Sequence, residues 1–409
     1  MPVGRAVADD GAAVAITPSN STLGYVPQGL DTVLAPGVSG YAIGVKMGSF
    51  IIFPQASTSV HFDDNVFNAP SKQSDVVTSL DAQLGLVSNW SRHGLELHAG
   101  GGTNFHSDFS SEDTSYGNVG GSALIDVYHD LWIRFSGNYA PGFEQRGSGD
   151  SFQNLAKPID TETYGGSVVV HKQFNRVWIE GDVSAVRNEF DDASLIGGGS
   201  LDQSFRSGTT YNFTARSGYE FSPKTSIFLE GGYDRREFGD VVFDSDGHHG
   251  SVGLRYEFTR LLDAEVAVGY QNSSTQSSLD DIDTWTYRAN LSWSVTPLMT
   301  IALVGTRGLT SPSKIAADSN RILSDLGLRW NYAVKRDLTV SAGIGFSTVD
   351  YVDTSRDEET IYLTTGLSYQ FRPWLSLYAS YLYETLDSNS TPDVDYDKNV
   401  ASLGVSARY

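Results

Sequence analysis

The side chains with catalytic potential are scattered along this chain. Eight histidines, His61, His93, His98, His106, His129, His171, His248 and His249, fall in no recognisable spacing with paired acids. His248 and His249 are adjacent, so in an extended segment they project to opposite faces and cannot share a metal ion. A hydrolase would need Ser and His on neighbouring strands at one height, with a third group orienting the base. Serine is so abundant that a chance neighbour of His98 or His171 carries no weight as a nucleophile. With no cysteine, disulfides, thiolate metal sites and cysteine nucleophiles are excluded. The acidic clusters Asp244-Ser-Asp246, Asp280-Asp281-Ile-Asp283, Asp357-Glu358-Glu359 and Asp393-Val-Asp395-Tyr-Asp397 lack EF-hand spacing and read as solvated loop faces. No catalytic residue, metal site or cofactor is assigned, and a net charge of −21 argues against nucleic acid as a partner.

The remaining chemistry is that of charges on extended faces. Arg134, Arg216, Arg255 and Arg329 share the polar faces of alternating segments and lie close to tight turns, with Arg288 slightly higher. They could form a cationic ring that draws in anions. The favoured reading is an ion-pair ladder, because hairpin register sets Arg216 opposite Glu230, Arg255 opposite Glu265, and Asp126 near Arg134. Arg288 and Arg329 have no acid directly opposite and are the expected solute contacts. Segment 145–161 carries both signs in Arg146, Asp150, Lys157 and Asp160, as a constriction loop does. Segment 191–204, with Gly197-Gly-Gly199, reads as an external flap.

Positioning these groups requires a wall with two different faces. In 282–295, Trp285, Tyr287, Ala289, Leu291, Trp293 and Val295 alternate with Thr286, Arg288, Asn290, Ser292 and Ser294. The chain ends the same way, with Ala401, Leu403, Val405, Ala407 and Tyr409 on one face and Ser402, Gly404, Ser406 and Arg408 on the other. Such period-2 alternation marks about eighteen strands: 50–63, 75–89, 93–107, 113–128, 131–144, 162–173, 177–190, 205–221, 225–238, 248–259, 262–273, 282–295, 299–310, 319–333, 337–350, 359–371, 374–386 and 394–409. The segments 162–173 and 299–310 are the most mixed. No apolar run approaches the roughly 18 residues of a spanning helix, so a membrane protein of this composition must be a closed β-barrel.

Connections alternate between tight turns and long loops, the asymmetry of outer-membrane barrels with short periplasmic turns and long extracellular loops. The tight turns hold Arg92, Lys172, Arg176, Lys224, Arg260, Lys335, Arg336 and Arg372 against Asp130 and Asp337, a balance of 8 − 2 = +6 that leaves the loop end acidic. Trp132, Trp178, Trp293, Trp330, Trp374 and Phe371 lie near tight turns, where an interfacial girdle is expected. The predicted fold is all-β, a single transmembrane antiparallel up-and-down barrel of about 18 strands (49–409), with both termini periplasmic. Residues 1–48 are a largely irregular periplasmic lead-in with no secretory signal.

Gly48-Ser-Phe-Ile-Ile-Phe-Pro54, the turn His61-Phe-Asp63-Asp64-Asn65-Val-Phe67, Trp90-Ser-Arg-His93 and Asp395-Tyr-Asp-Lys-Asn399 carry a family likeness. Over about residues 40–409 the chain resembles the outer-membrane β-barrel porin 2 family. The resemblance implies association with capsular and exopolysaccharide export. The leading expectation is therefore a passive exit pore for such a polymer, working with a separate periplasmic polysaccharide export protein. The alternatives are a general or solute-selective diffusion porin, and a structural or adhesive barrel with acidic loops. In each case the expected surroundings are outer-membrane lipid and lipopolysaccharide of a Gram-negative bacterium, with polysaccharide or small polar solutes as cargo.

Overall fold

The computed structural model describes residues 44–409 except 145, 147–153, 260, 276–280, 311–320, 353–354 and 390–393. Eighteen long strands follow one another. The first six are β1 Phe50–Asp63, β2 Asp75–Ser88, β3 Gly94–His106, β4 Thr114–Tyr128, β5 Leu131–Glu144 and β6 Ile159–Phe174. Next come β7 Val177–Phe190, β8 Gly208–Ser222, β9 Thr225–Phe238, β10 Ser245–Thr259, β11 Leu262–Thr275 and β12 Ile282–Thr296. The last are β13 Met299–Thr310, β14 Arg321–Lys335, β15 Leu338–Tyr351, β16 Asp357–Arg372, β17 Leu375–Ser388 and β18 Tyr396–Arg408. Each pairs antiparallel with its sequence neighbour. Strand β18 pairs with β1 from Arg408–Gln55 to Val400–Asp63, which closes the barrel and leaves no long edge.

The alternation sorts exactly two environments, and they are inverted relative to a water-soluble protein. Along β9, Ile227, Leu229 and Tyr233 are exposed while Ser226, Glu230 and Asp234 are buried. Along β1, Val60 and Phe62 are exposed while Ser59, His61 and Asp63 are buried. Apolar side chains outside and polar ones inside suit lipid around an aqueous bore. Outward aromatics form two belts. Tyr164, Tyr211, Tyr233, Trp285 and Tyr381 stand toward the long-loop end, and Phe174, Phe221, Trp293, Phe371 and Trp374 toward the tight-turn end. Trp285 and Trp293 are eight residues apart (293 − 285), which spans about 20 Å at ~3.3 Å per residue and ~40° tilt, close to the apolar band of a membrane barrel.

Two of the expected girdle residues are misplaced. Trp132 and Trp178 face inward, sharing parity with Arg134 and Glu180, and Trp178 packs with Phe228 and Ala267 against the inner wall. The Trp178 ring occupies the space a side chain at Gly218 on the adjoining strand would need, so glycine is required there.

Just before β1, Val45–Met47 forms a short strand antiparallel to Phe50–Ile52. The two-residue turn between them has Gly48 at φ +62, a left-handed conformation in which glycine carries no Cβ penalty. This accounts for the glycine of the Gly-Ser-Phe motif. At the other end, segment 191–204 is more than a flap. Ala193–Ser194 pairs with Ser200–Leu201, and Leu195 packs against Leu155 of the preceding long connection and Ile159 at the start of β6.

Candidate functional site

The inner wall of β6–β12 carries an interleaved lattice of charges. Register places Arg216 between Glu180 on β7 and Glu230 on β9, and Arg255 opposite Glu265. Arg216 forms an ion pair with Glu230 and stands 3.8 Å from Glu265, while Arg255 lies 3.4 Å from Glu265. The ladder expected for these four residues is present. Arg288 differs from expectation. Its register neighbours are Ala267 and Thr306, yet its long side chain crosses to Glu230 (2.9 Å) and Glu265 (3.7 Å). It completes the lattice instead of standing clear for solute. Three arginines thus meet Glu230 and Glu265 on one wall, while Glu180, the register neighbour of Arg216, is bonded to His171 at 3.2 Å. Asp182, two residues from Glu180 on the same inward face, adds a fourth acid to the lattice.

Arg134 is not paired with Asp126. Its register partner is Leu124, and its guanidinium sits 5.2 Å above the Trp132 ring. Trp132 in turn stacks on His171 at 5.0 Å. Asp126 instead accepts a hydrogen bond from the His93 backbone N–H, and its carbonyl accepts from Arg92. Arg329 is inward and buried on β14, donating from Nε to Asn331 Oδ1 at 3.1 Å.

The long-loop mouth contains the second cluster. Arg146 grips Glu112 through two hydrogen bonds of 2.5 and 2.6 Å, donates to the Leu155 carbonyl, and lies 5.2 Å above the Phe67 ring. Arg146 lines an open cleft together with inward-facing His61, Asn104 and Lys398. Of the four expected constriction residues, Arg146 stands at this mouth, fixed to Glu112 and the Leu155 carbonyl. Lys157 and Asp160 pair with each other at 2.7 Å on an exposed surface, and Asp150 lies outside the described residues. Sequence reasoning missed His61. Its Nε2 meets Ser59 (2.7 Å) and Ser79 (3.1 Å), and its Nδ1 meets Ser402 (2.7 Å). Both ring nitrogens are engaged by hydroxyls, which binds β1, β2 and β18 together at one height.

The Asp63-Asp64-Asn65 turn and the Asp395–Asn399 segment, separated by some 330 residues of sequence, zip together where the barrel closes. Asp63 pairs with Lys398 at 2.8 Å. Asp64 accepts from the Asn399 backbone N–H (2.6 Å) and side-chain amide (2.8 Å), while Asn65 donates to the Asp397 carbonyl at 3.0 Å. Lys72 bridges Asp64 and Asp397 from outside. Burial raises the Asp64 carboxyl, but the bonds from Asn399 and Lys72 outweigh it and hold the group below its ordinary range. These residues clasp the first strand to the last.

No curated protein matches this chain. Solved structures similar to it include OpdK of Pseudomonas aeruginosa with vanillate, at 12% identity over 88% of this chain and 99% of that one, with a TM-score of 0.47. The copper transporter OprC matches at 9% identity over 90% and 81% of the two chains, with a TM-score of 0.47. OccAB3 of Acinetobacter baumannii matches at 12% identity over 88% and 99%, with a TM-score of 0.44. Residues 39–409, the barrel together with its N-terminal hairpin, match the family described as "Putative beta-barrel porin 2", and the chain belongs to that family.

Proposed function

We propose that this barrel is a passive diffusion channel of the outer membrane for small polar solutes, with the tight turns and both chain ends on the periplasmic side. The observation that supports this reading is the polar inner wall on which Arg216, Arg255 and Arg288 are ion-paired with Glu230 and Glu265. A lumen held polar by paired charges passes hydrated solutes without trapping one sign of ion. Belonging to a porin family supports the same reading. Exopolysaccharide exit and an export-protein partner rest on the resemblance alone, and the diffusion-porin alternative is the better supported.

Glu230 is the hinge of the selectivity. In planar bilayers the wild-type barrel should conduct with weak ion preference. Glu230→Gln releases Arg216 and Arg288 together, so anion over cation permeability should rise roughly twofold or more. A wild type that does not conduct would overturn the channel reading, and unchanged selectivity in the variant would remove the lattice from it.

A further inference from the structure

The lumen accounts for the inward arginines but not for Arg187 and Arg235, which point the other way, as Arg307 does beside outward Trp285. Arg187 on β7 shares parity with exposed Ile179 and Val183, and Arg235 on β9 shares parity with exposed Leu229 and Tyr233. Both therefore stand on the outer face of the barrel. Each lies ten residues beyond the start of its strand (177 to 187 and 225 to 235), and a tilted strand crosses the apolar band in about 9–11 residues. They consequently emerge at the far interface, beside the Tyr164, Tyr211 and Tyr233 belt. Only β8 separates them, with Arg187 opposite Thr209 and Arg235 opposite Tyr211. Strand spacing and rise put their backbones about 12 Å apart.

We propose that Arg187 and Arg235 hold the phosphorylated headgroup of a glycolipid in the outer leaflet, with its acyl chains on the apolar face below. The proposal rests on the orientation given above, which puts this interface in the outer leaflet. Planar guanidinium groups suit phosphate because they donate two hydrogen bonds at once. Below them, Val183, Phe213 and Leu229 form an exposed apolar bed in the same vertical zone. The present partners are Glu189 and Glu237, each taking the Nε of its arginine at 2.7 and 2.8 Å. Both pairs are roughly half exposed, the class of ion pair that contributes little and yields readily to a stronger anion. The same rim also carries acids, Asp246 opposite Arg235 in register and Glu162 opposite Glu189, so a phosphate docks here by displacing carboxylates from the two arginines.

The test is native mass spectrometry of the full chain in detergent with diphosphoryl lipid A as the probe. Wild type should retain the lipid, and Arg187→Ala plus Arg235→Ala should retain about tenfold less, as expected for the loss of two charge-assisted phosphate contacts. The double lysine variant, which keeps charge but not the planar fork, should fall between them. Lys157→Ala, an exposed cation at the same end, should bind as wild type does. Equal retention by wild type and the alanine pair would overturn the proposal, as would equal retention of dephosphorylated lipid A. Bilayer conductance of the same alanine pair should match wild type, so a failed lipid experiment leaves the channel reading standing, and loss of conduction in wild type is a separate failure.

Discussion

Replacing Lys398 with alanine should lower the stability of the folded barrel by about 3–5 kcal/mol. Lys398 is buried, pairs with Asp63 at 2.8 Å, donates to Asn68 at 3.0 Å, and stands opposite Glu384 in the register of β17 with β18. Glu384 is fully buried and takes a hydrogen bond from Tyr396 at 2.5 Å. Without the ammonium, two buried acids lose their shared counter-charge, and neither can turn to water. The cost of such a truncation is mainly the charge left behind. Lys72→Ala is the contrasting variant, since Lys72 contacts Asp64 and Asp397 from a partly exposed position and should cost under about 1 kcal/mol. Urea unfolding followed by the heat-dependent gel shift of folded barrels reads both. Equal effects would mean that the clasp acts through its exposed half.

Arginine in place of Leu229 should destabilise the barrel by about 2–4 kcal/mol, the cost of a cation near the bilayer midplane. The same substitution at Val241 should change stability by less than about 0.5 kcal/mol. Leu229 and Val241 are equally exposed, at 66% and 67%, so exposure cannot distinguish them. What differs is the medium. Leu229 sits on β9 between the two aromatic belts, and Val241 sits in the turn beyond the end of that strand. Reconstitution into vesicles and denaturant titration should separate the two variants, and identical midpoints would argue that both face water.

Strand number and position were legible in the sequence because two independent signals coincide. Alternation places side chains on faces, and tight turns such as Pro223–Lys224 fix where each hairpin reverses. Even the mixed segments at 162–173 and 299–310 form strands, Ile159–Phe174 and Met299–Thr310. The first reads as mixed because Val169 faces inward between outward Val168 and Val170. The girdle error at Trp132 and Trp178 came from using distance to the turn, which gives height, without parity, which gives side. Parity with Arg134 and Glu180 already marked both as inward.

The site was legible only as far as one hairpin reaches. Arg216–Glu230 and Arg255–Glu265 are neighbours across a tight turn, so counting residues finds them. Arg288 reaches Glu230 three strands away, because an arginine side chain spans more than one strand spacing and the curvature of the wall brings it in. Arg146 finds Glu112 through loops whose paths no period-2 pattern encodes. The clasp needed one further fact, that the first strand closes on the last. Given that pairing, His61 beside Ser402 and Asp63 beside Val400 follow from register alone.

All of these effects require that one face of each strand meets water and the other lipid. Because the chain has no cysteine, a single introduced thiol reports on its own position. In lipid-reconstituted protein, cysteines at Thr286, Arg288, Asn290 and Ser292 should react with a charged methanethiosulfonate reagent, while those at Tyr287, Ala289 and Leu291 should stay unmodified. Reactivity on the second set with protection of the first, or uniform reactivity along β12, would contradict the wet-bored barrel.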